Sequence, residues 1–273
     1  MFGYDNVLEN DSLLLDLPFY EDAGIITRDQ SKAHHQDIDL INAPEWDWNR
    51  YGKGSFCIGF ASGYDKSNYD ISAFSSAFSK AFHAGEGIGT IKFDGGEFVD
   101  HYIEIATVDS LDLDFTSGDY SYGVWFYWTT YENTQMLIGR YKLDVSGWEI
   151  YLYRGASAIL TQRHHHAGTL VGGNPRSACY SIGWNVAGWH FFGTSRVGGG
   201  NAIHYRNGVA VTTITGGLVD PETNAGDLVI GARYTKDANF FRGSQWRPRL
   251  WNRAVSANEW LNIFEKERRF FGV

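Results

Sequence analysis

Short apolar runs, broken by Gly, Asn, Asp or Pro, recur along the chain, and few stretches repeat with a helical period. The run Leu13-Leu14-Leu15-Asp16-Leu17-Pro18-Phe19 predicts a buried strand stopped by its proline. Glu21-Asp22-Ala23-Gly24 predicts a turn, and Ile25-Ile26-Thr27 a short strand. Strand character then returns at Gly89 and continues almost to the last residues. Thr90–Phe93, Tyr102–Ile105, Met136–Gly139, Trp148–Tyr153, Leu228–Gly231 and Trp246–Trp251 each predict a strand. Leu111-Asp112-Leu113-Asp114-Phe115 alternates apolar and acidic residues, which predicts a half-buried strand or an extended edge. Tyr122–Thr130 is aromatic and β-branched throughout, so it should be covered on both faces. Ile203-His204-Tyr205-Arg206-Asn207-Gly208-Val209-Ala210-Val211 sets Asn-Gly between two alternating runs, the signature of a type I′ hairpin.

One segment has a convincing helical period. Ser256-Ala257-Asn258-Glu259 fits a capping box, Trp260, Ile263 and Phe264 form an apolar face, and Lys266, Arg268 and Arg269 suit the C-terminal end of the dipole. A second period of four, Phe74, Phe78 and Phe82, lies in the Gly- and Ser-rich stretch 52–88 and reads as a short amphipathic helix or a loop. Many short strands at near-regular spacing, with no fixed-period repeat, predict an all-β sandwich of two antiparallel sheets closed by a short C-terminal helix. A length of 273 residues accommodates this as a single domain, 1–273, with an insertion at about 52–88.

Composition agrees with that reading. The chain has 32 Gly, only 2 Met and 16% aromatic residues, and strands and turns use such residues more readily than helices do. No stretch of about 18 apolar residues occurs, so no transmembrane helix and no membrane insertion are expected. The net charge of −9 is unevenly divided, about −16 over residues 1–136 and +7 over 137–273. A globally acidic chain is a poor nonspecific nucleic-acid binder, so no nucleic-acid partner is expected. Met1–Asn6 has neither the basic nor the apolar region of a secretory signal; synthesis in a cytoplasm without a signal peptide is the expectation. The distant pair Cys57 and Cys179 then predicts reduced thiols.

Taken in order, several segments resemble the laminin-G-like branch of the concanavalin A-like lectin/glucanase superfamily. Phe93-Asp94-Gly95, the Trp125 strand and Gly147-Trp148-Glu149-Ile150 are followed by Trp189-His190-Phe191-Phe192-Gly193-Thr194 and the Asn207-Gly208 hairpin. Leu228-Val229-Ile230-Gly231, Phe241-Arg242-Gly243 and Leu250–Ser256 with Glu259 complete the series. The resemblance implies a jelly-roll sandwich of two curved antiparallel sheets, a scaffold that hosts lectins, glycosidases and adhesion modules alike. Compact versions of this architecture are similar to structural proteins of tailed-phage particles. That similarity implies a non-enzymatic virion component (decoration, fibre or tail accessory) whose partners are other virion proteins or copies of itself. The alternative is a carbohydrate-binding lectin that meets cell-surface glycans.

Candidate chemistry is sparse. The Glu-x-Asp-x-x-Glu string of the glucanase branch is absent; Glu97, Asp100 and Glu104 come nearest but lack its spacing, and Glu97 and Asp100, three apart, face opposite sides of a regular strand, so no catalytic residue is assigned. Consecutive residues in an extended chain point apart, so His164-His165-His166 predicts a loop tract and not a zinc site. The related branches often hold Ca²⁺, which wants several oxygens; Asp22 and Asp29, beside the first turn, are the candidate ligands of a structural calcium. Trp46 and Trp48, in the polar stretch Glu45–Asn49, are candidates for sugar or partner contact. Phe74, Phe78 and Phe82 are candidates for an assembly contact, or else cap one end of the sandwich.

Overall fold

A computed structural model describes residues 8–19, 26–31, 33, 35, 38–41, 45–48, 89–93, 101–128, 134–153, 159–170, 172–183 and 188–273. Sixteen strands follow one another in these regions. The first six are β1 (Leu13–Asp16), β2 (Ile26–Thr27), β3 (Ile38–Ile41), β4 (Glu45–Trp48), β5 (Gly89–Phe93) and β6 (Tyr102–Ile105). Next come β7 (Tyr120–Trp128), β8 (Gln135–Lys142), β9 (Ser146–Tyr153), β10 (Ile159–His165), β11 (Arg176–Gly183) and β12 (Gly188–Val197). The last are β13 (Asn201–Arg206), β14 (Val209–Ile214), β15 (Leu228–Ile230) and β16 (Gly243–Trp251), followed by one α-helix, α1 (Ala257–Glu267).

The strands form two eight-stranded sheets, and every pairing between them is antiparallel. Sheet A runs β14-β13-β12-β7-β16-β5-β4, with β1 added to β16; sheet B runs β11-β10-β9-β8-β15-β6-β3-β2. Chain neighbours are often separated in the sheets, as a jelly roll requires. Tyr122, Val124, Phe126 and Phe192 from sheet A meet Trp148, Ile150, Leu152 and Leu160 from sheet B in one buried core. Burying each such side chain contributes about 1.5–3 kcal/mol.

Polar groups also cross this interior, and a connected set of them is hydrogen-bonded across it. His164 lies wholly buried between the sheets: its Nδ1–H donates to the Val219 carbonyl (2.7 Å), so its Nε2 accepts from the Tyr120 hydroxyl (2.7 Å). Gln162 donates to the same hydroxyl (2.6 Å) and accepts from Thr194 (2.9 Å). Burial holds His164 down at about 3 and His204 at about 4, so both imidazoles are neutral near pH 7. The histidine run is therefore no loop. His164 and His165 are strand residues of β10 on opposite faces, and hydrogen-bonding partners far away in sequence make their burial tolerable.

The hairpin and the capped helix form as their local residues dictate. Asn207 (φ 50°) and Gly208 (φ 76°) both occupy the left-handed region that a type I′ turn demands. Ser256 Oγ accepts from the Glu259 amide, and Glu259 Oε2 accepts from the Ser256 amide at 2.8 Å. Leu111–Leu113, by contrast, is not a strand but a 3₁₀ turn. Its Leu113 amide bonds back to the Ser110 carbonyl (3.1 Å), and its Leu113 carbonyl accepts from the buried Trp148 indole (3.0 Å).

Helix α1 covers the outer face of sheet A. Trp260 lies flat on Gly123 of β7 and Gly193 of β12, which are register partners; a Cβ on either would sit 2.7–2.8 Å from the indole ring. Phe264 and Phe271 stack on Trp125, at 5.6 and 4.1 Å between ring centroids. The end of α1 is fixed by Glu267, whose carboxylate accepts from Trp125 Nε1 (2.8 Å), from both terminal nitrogens of Arg249 (3.0 and 2.9 Å) and from Arg247 (3.1 Å).

Candidate functional site

Helix α1 lies on the outer face of sheet A; on the outer face of sheet B the central residues Met136, Tyr141, Glu149, Tyr151, Thr161 and His165 are buried, with exposed residues at their margin. Strand alternation sends Trp148, Ile150 and Leu152 inward and Glu149, Tyr151 and Tyr153 outward on β9. On β10 it sends Thr161, Arg163 and His165 outward. The register aligns these into rows: Met136–Tyr151–Thr161–Tyr180, then Gly139–Glu149–Arg163–Ala178. Two glycines shape the surface. A Cβ on Gly139 would meet the Tyr141 ring at 2.9 Å, and one on Gly147 (φ 81°) would lie 2.1 Å from the Arg140 carbonyl, so Tyr141 can lie flat against the sheet.

The centre of the face is a tight polar network. Glu149 Oε1 accepts from Arg163 (3.1 Å) and from His165 Nε2 (3.1 Å). The Asp144 amide donates to His165 Nδ1 (3.1 Å), which fixes the proton of a neutral His165 on Nε2. Arg163 also donates to the Tyr151 hydroxyl, and its guanidinium lies 4.7 Å from the Tyr151 ring centroid. His165 stacks on Tyr141 (5.0 Å, 14°), and Tyr234 packs edge-on against the same ring (5.0 Å, 61°). Burial pushes the Tyr141 hydroxyl well above its ordinary range; it also pushes Tyr151 up to about 12, against the pull of Arg163. Both hydroxyls stay protonated and neutral. At the margin of this network two rings stand out into solvent, Tyr153 at 47% and Tyr180 at 53% exposure.

Glycoside hydrolysis needs two carboxylates about 5–10 Å apart facing one sugar. On this face Glu149 is held by Arg163 and His165, while Asp144 pairs with Arg176 (3.3 Å). Glu149, Tyr151 and His165 are buried within this network, Arg163 is partly exposed, and the Tyr153 and Tyr180 rings at its margin are the groups that reach into solvent.

The residues singled out in the sequence lie elsewhere. Trp46 and Trp48 fall on β4, at an edge of sheet A, in register with Ile91 and Gly89. Asp22, Phe74, Phe78 and Phe82, and with them the insertion at 52–88, lie outside the described residues, as do Glu97 and Asp100. Asp29 is buried, and its carboxylate accepts from the amides of Asp16 (2.9 Å), Ser31 (2.8 Å) and His35 (3.2 Å), from Ser31 Oγ (2.7 Å) and from His35 Nδ1 (2.6 Å). Calcium would have to displace these five donors. His35 in turn reaches Asp112 (3.0 Å). Burial alone would lower the His35 pKa, but hydrogen bonds to Asp112 and Asp29 outweigh it and raise the value to about 9. Of the outer-face cluster the sequence reading predicted only the strand Trp148–Tyr153; Ile159–His165 was not predicted as a strand, and nothing local shows that the two are neighbours.

Comparison with known proteins fits the fold. A family model described as the concanavalin A-like lectin/glucanases superfamily matches residues 94–259. No curated protein matches the chain. Among solved structures, a receptor-binding domain of botulinum neurotoxin mosaic serotype C/D aligns with TM-score 0.61 at 13% identity, covering 97% of this chain and 54% of that one. A botulinum neurotoxin type C structure, described by its interaction with two ganglioside molecules, aligns with TM-score 0.56 at 13% identity, covering 94% and 52%. The binding domain of botulinum neurotoxin DC in complex with rat synaptotagmin II aligns with TM-score 0.55 at 12% identity, covering 94% and 52%. The chain thus spans about half the length of the solved chains it matches, and at such identities the likeness shows the fold alone.

Proposed function

The chain belongs to the concanavalin A-like lectin/glucanase superfamily, and we propose that it is a non-enzymatic, lectin-like adhesion module that binds carbohydrate on the outer face of sheet B. The observation that carries this reading is the pair of exposed rings, Tyr153 and Tyr180, at the margin of the ordered Glu149–Arg163–Tyr151 network. In the row Tyr151–Thr161–Tyr180 the first two residues are buried, so a ligand would meet the exposed Tyr180 and Tyr153 rings at the edge of the network. Cell-surface glycans are the first ligand class to test, because a botulinum neurotoxin of the same fold is described by its interaction with gangliosides. The finer part of the proposal is the setting: an adhesion component of a phage-like particle, in contact with other virion proteins or copies of itself.

The test is a glycan array probed with the isolated protein, followed by titration of any hit. Tyr180→Ala and Tyr153→Ala should each weaken binding at least tenfold without changing the melting temperature. Binding of no glycan, or binding indifferent to both substitutions, defeats the reading. The setting is tested separately, by whether the protein purifies in stoichiometric amount with a virion.

A further inference from the structure

A sandwich of two open sheets has four edges, and each edge strand offers a row of backbone amides and carbonyls to a further strand. Here the edges are β14 and β4 of sheet A and β11 and β2 of sheet B. Three of them carry features that discourage such pairing. β2 is two residues long and runs straight into Arg28 and Asp29. β4 alternates Glu45 and Asp47 with its tryptophans. β11 begins at Arg176, which is paired with Asp144 (3.3 Å). β14 differs: Val209-Ala210-Val211-Thr212-Thr213-Ile214 has no charge and no proline, and it is rich in the β-branched residues that favour a strand. Among the described residues its backbone is hydrogen-bonded to β13 alone.

The surface beside β14 is uncharged as well. Val209 is 60% exposed and Leu261 of α1 41%, and the Asn207-Gly208 turn lies against that helix: a Cβ on Gly208 would stand 3.0 Å from Leu261 Cα. Over the first two turns of α1 the exposed residues are Ala257, Asn258, Leu261 and Asn262. The one charge in the ladder between β13 and β14 is Arg206, half-buried opposite Val209. In a chain with 20% charged residues, a neutral strip along an open sheet edge has the composition of an interface core, from which charge is depleted.

The register adds a further point. Thr212 lies opposite His204 and Ala210 opposite Tyr205, so Val211 is an extra residue, a bulge at the middle of the strand. The regular parts of β14 are its two ends, Val209 with Ala210 and Thr212 to Ile214.

We propose that β14 is a self-association edge whose occupant is β14 of a second copy, antiparallel about a two-fold axis that passes near Val211. This pairing sets Val209 and Ala210 against Thr213 and Ile214 of the partner subunit, and the two copies of sheet A become one continuous sheet. A two-fold contact sets the same patch against itself, so a single-sign charge on it would face its own kind; β14 is neutral throughout. The inference gives the contact between copies in the proposed setting a location and does not need glycan binding. The glycan array reports on Tyr153 and Tyr180, whereas self-association reports on β14.

The test is sedimentation velocity of the full chain over about 1–100 μM, followed by the same run on two variants. The expected result is a 30.7 kDa monomer that gives way to a species of twice that mass. Thr213→Lys and Val209→Lys, both at exposed positions, place like charges within the contact and should each weaken dimerisation about tenfold or more. Hydrogen exchange on the unaltered chain locates the contact without any substitution: amides of Val209–Ile214 should exchange several-fold more slowly above the midpoint of dimerisation than below it. A chain that stays monomeric throughout overturns the proposal, and a mass that climbs past the dimer overturns the two-fold. A dimer indifferent to both lysines, or one without concentration-dependent protection over 209–214, overturns the assignment to β14.

Discussion

Replacing Gly193 by Ala tests whether α1 is seated by the flat contact between Trp260 and the two glycines beneath it. A Cβ at position 193 would stand 2.8 Å from Cδ2 and Cε3 of Trp260 and 3.0 Å from Cε2. Ordinary carbon contact is about 3.5–4.0 Å, so the ring must rise by nearly 1 Å. It has little room to do so. The Trp251 ring meets it edge-on at 5.3 Å, and its Nε1–H is bonded to Ser195 Oγ at 2.8 Å. A shift of that size stretches the bond toward the limit of a hydrogen bond. Overpacking costs about 1–3 kcal/mol and the weakened bond about 1 more, so Gly193→Ala should destabilise by about 2–4 kcal/mol. With a urea slope of about 2–3 kcal/mol/M, the unfolding midpoint falls by about 1 M or more. The decisive measurement is a double-mutant cycle with Trp260→Ala. Once the ring is gone, Ala at 193 should be neutral or slightly favourable in a strand, because glycine is itself a weak strand former. A single-mutant cost below about 0.5 kcal/mol, or an equal cost in both backgrounds, refutes the reasoning.

Three further outcomes are expected. His164 and His204 have folded pKa values of about 3 and 4, below the ordinary 6.5, so their contribution to stability is complete above pH 6.5 and is lost as pH falls through their folded values; urea midpoints should drop by several kcal/mol equivalents between pH 7 and 4, and His204→Asn should flatten that slope. His35 has the opposite sign: with a folded value of about 9, its contribution is complete below about 6.5 and lost as pH rises through 9, so His35→Asn should cost up to about 3 kcal/mol at pH 6 and much less at pH 10, as read by chemical denaturation at each pH. Ser256→Ala removes the cap of α1 and should cost about 0.5–2 kcal/mol in a thermal melt; an unchanged midpoint would show that Ser256 does not cap the helix.

What could be read from the sequence was what the chain decides locally. Asn207-Gly208 forms its turn through the backbone preferences of two residues, and Ser256 with Glu259 caps α1 across three. The two-sheet architecture followed from the number and spacing of strands. Leu111–Phe115 misled because an alternation of apolar and acidic residues fits an extended strand, whereas the indole of Trp148, 35 residues away, supplies the donor that the 3₁₀ turn accepts. The histidine run looked like a loop because its burial depends on Tyr120 and the Val219 carbonyl, at separations of 44 and 55 residues. The outer-face cluster was hidden for the same reason: Glu149, Arg163 and Tyr180 become neighbours only through the order of strands in sheet B.

The pairing of β1 with β16 has a consequence in time. Leu13, Leu15 and Asp16 find their backbone partners at Trp251, Leu250 and Arg249, more than 230 positions later. At a synthesis rate of about 5–20 residues per second, the early strand waits roughly 10–50 s before its mate has even been made. During that wait Leu13–Leu17 is an exposed apolar ribbon with unpaired backbone groups, the kind of segment that seeks a neighbour on another chain. Sheet A also lacks the phenyl rings that stack on Trp125, and the Glu267 acceptor of its indole, until α1 has emerged. The nascent protein therefore spends its synthesis as a sticky, incomplete sandwich, and its yield in cells should depend on holding chaperones and on slow growth more than on the stability of the finished fold.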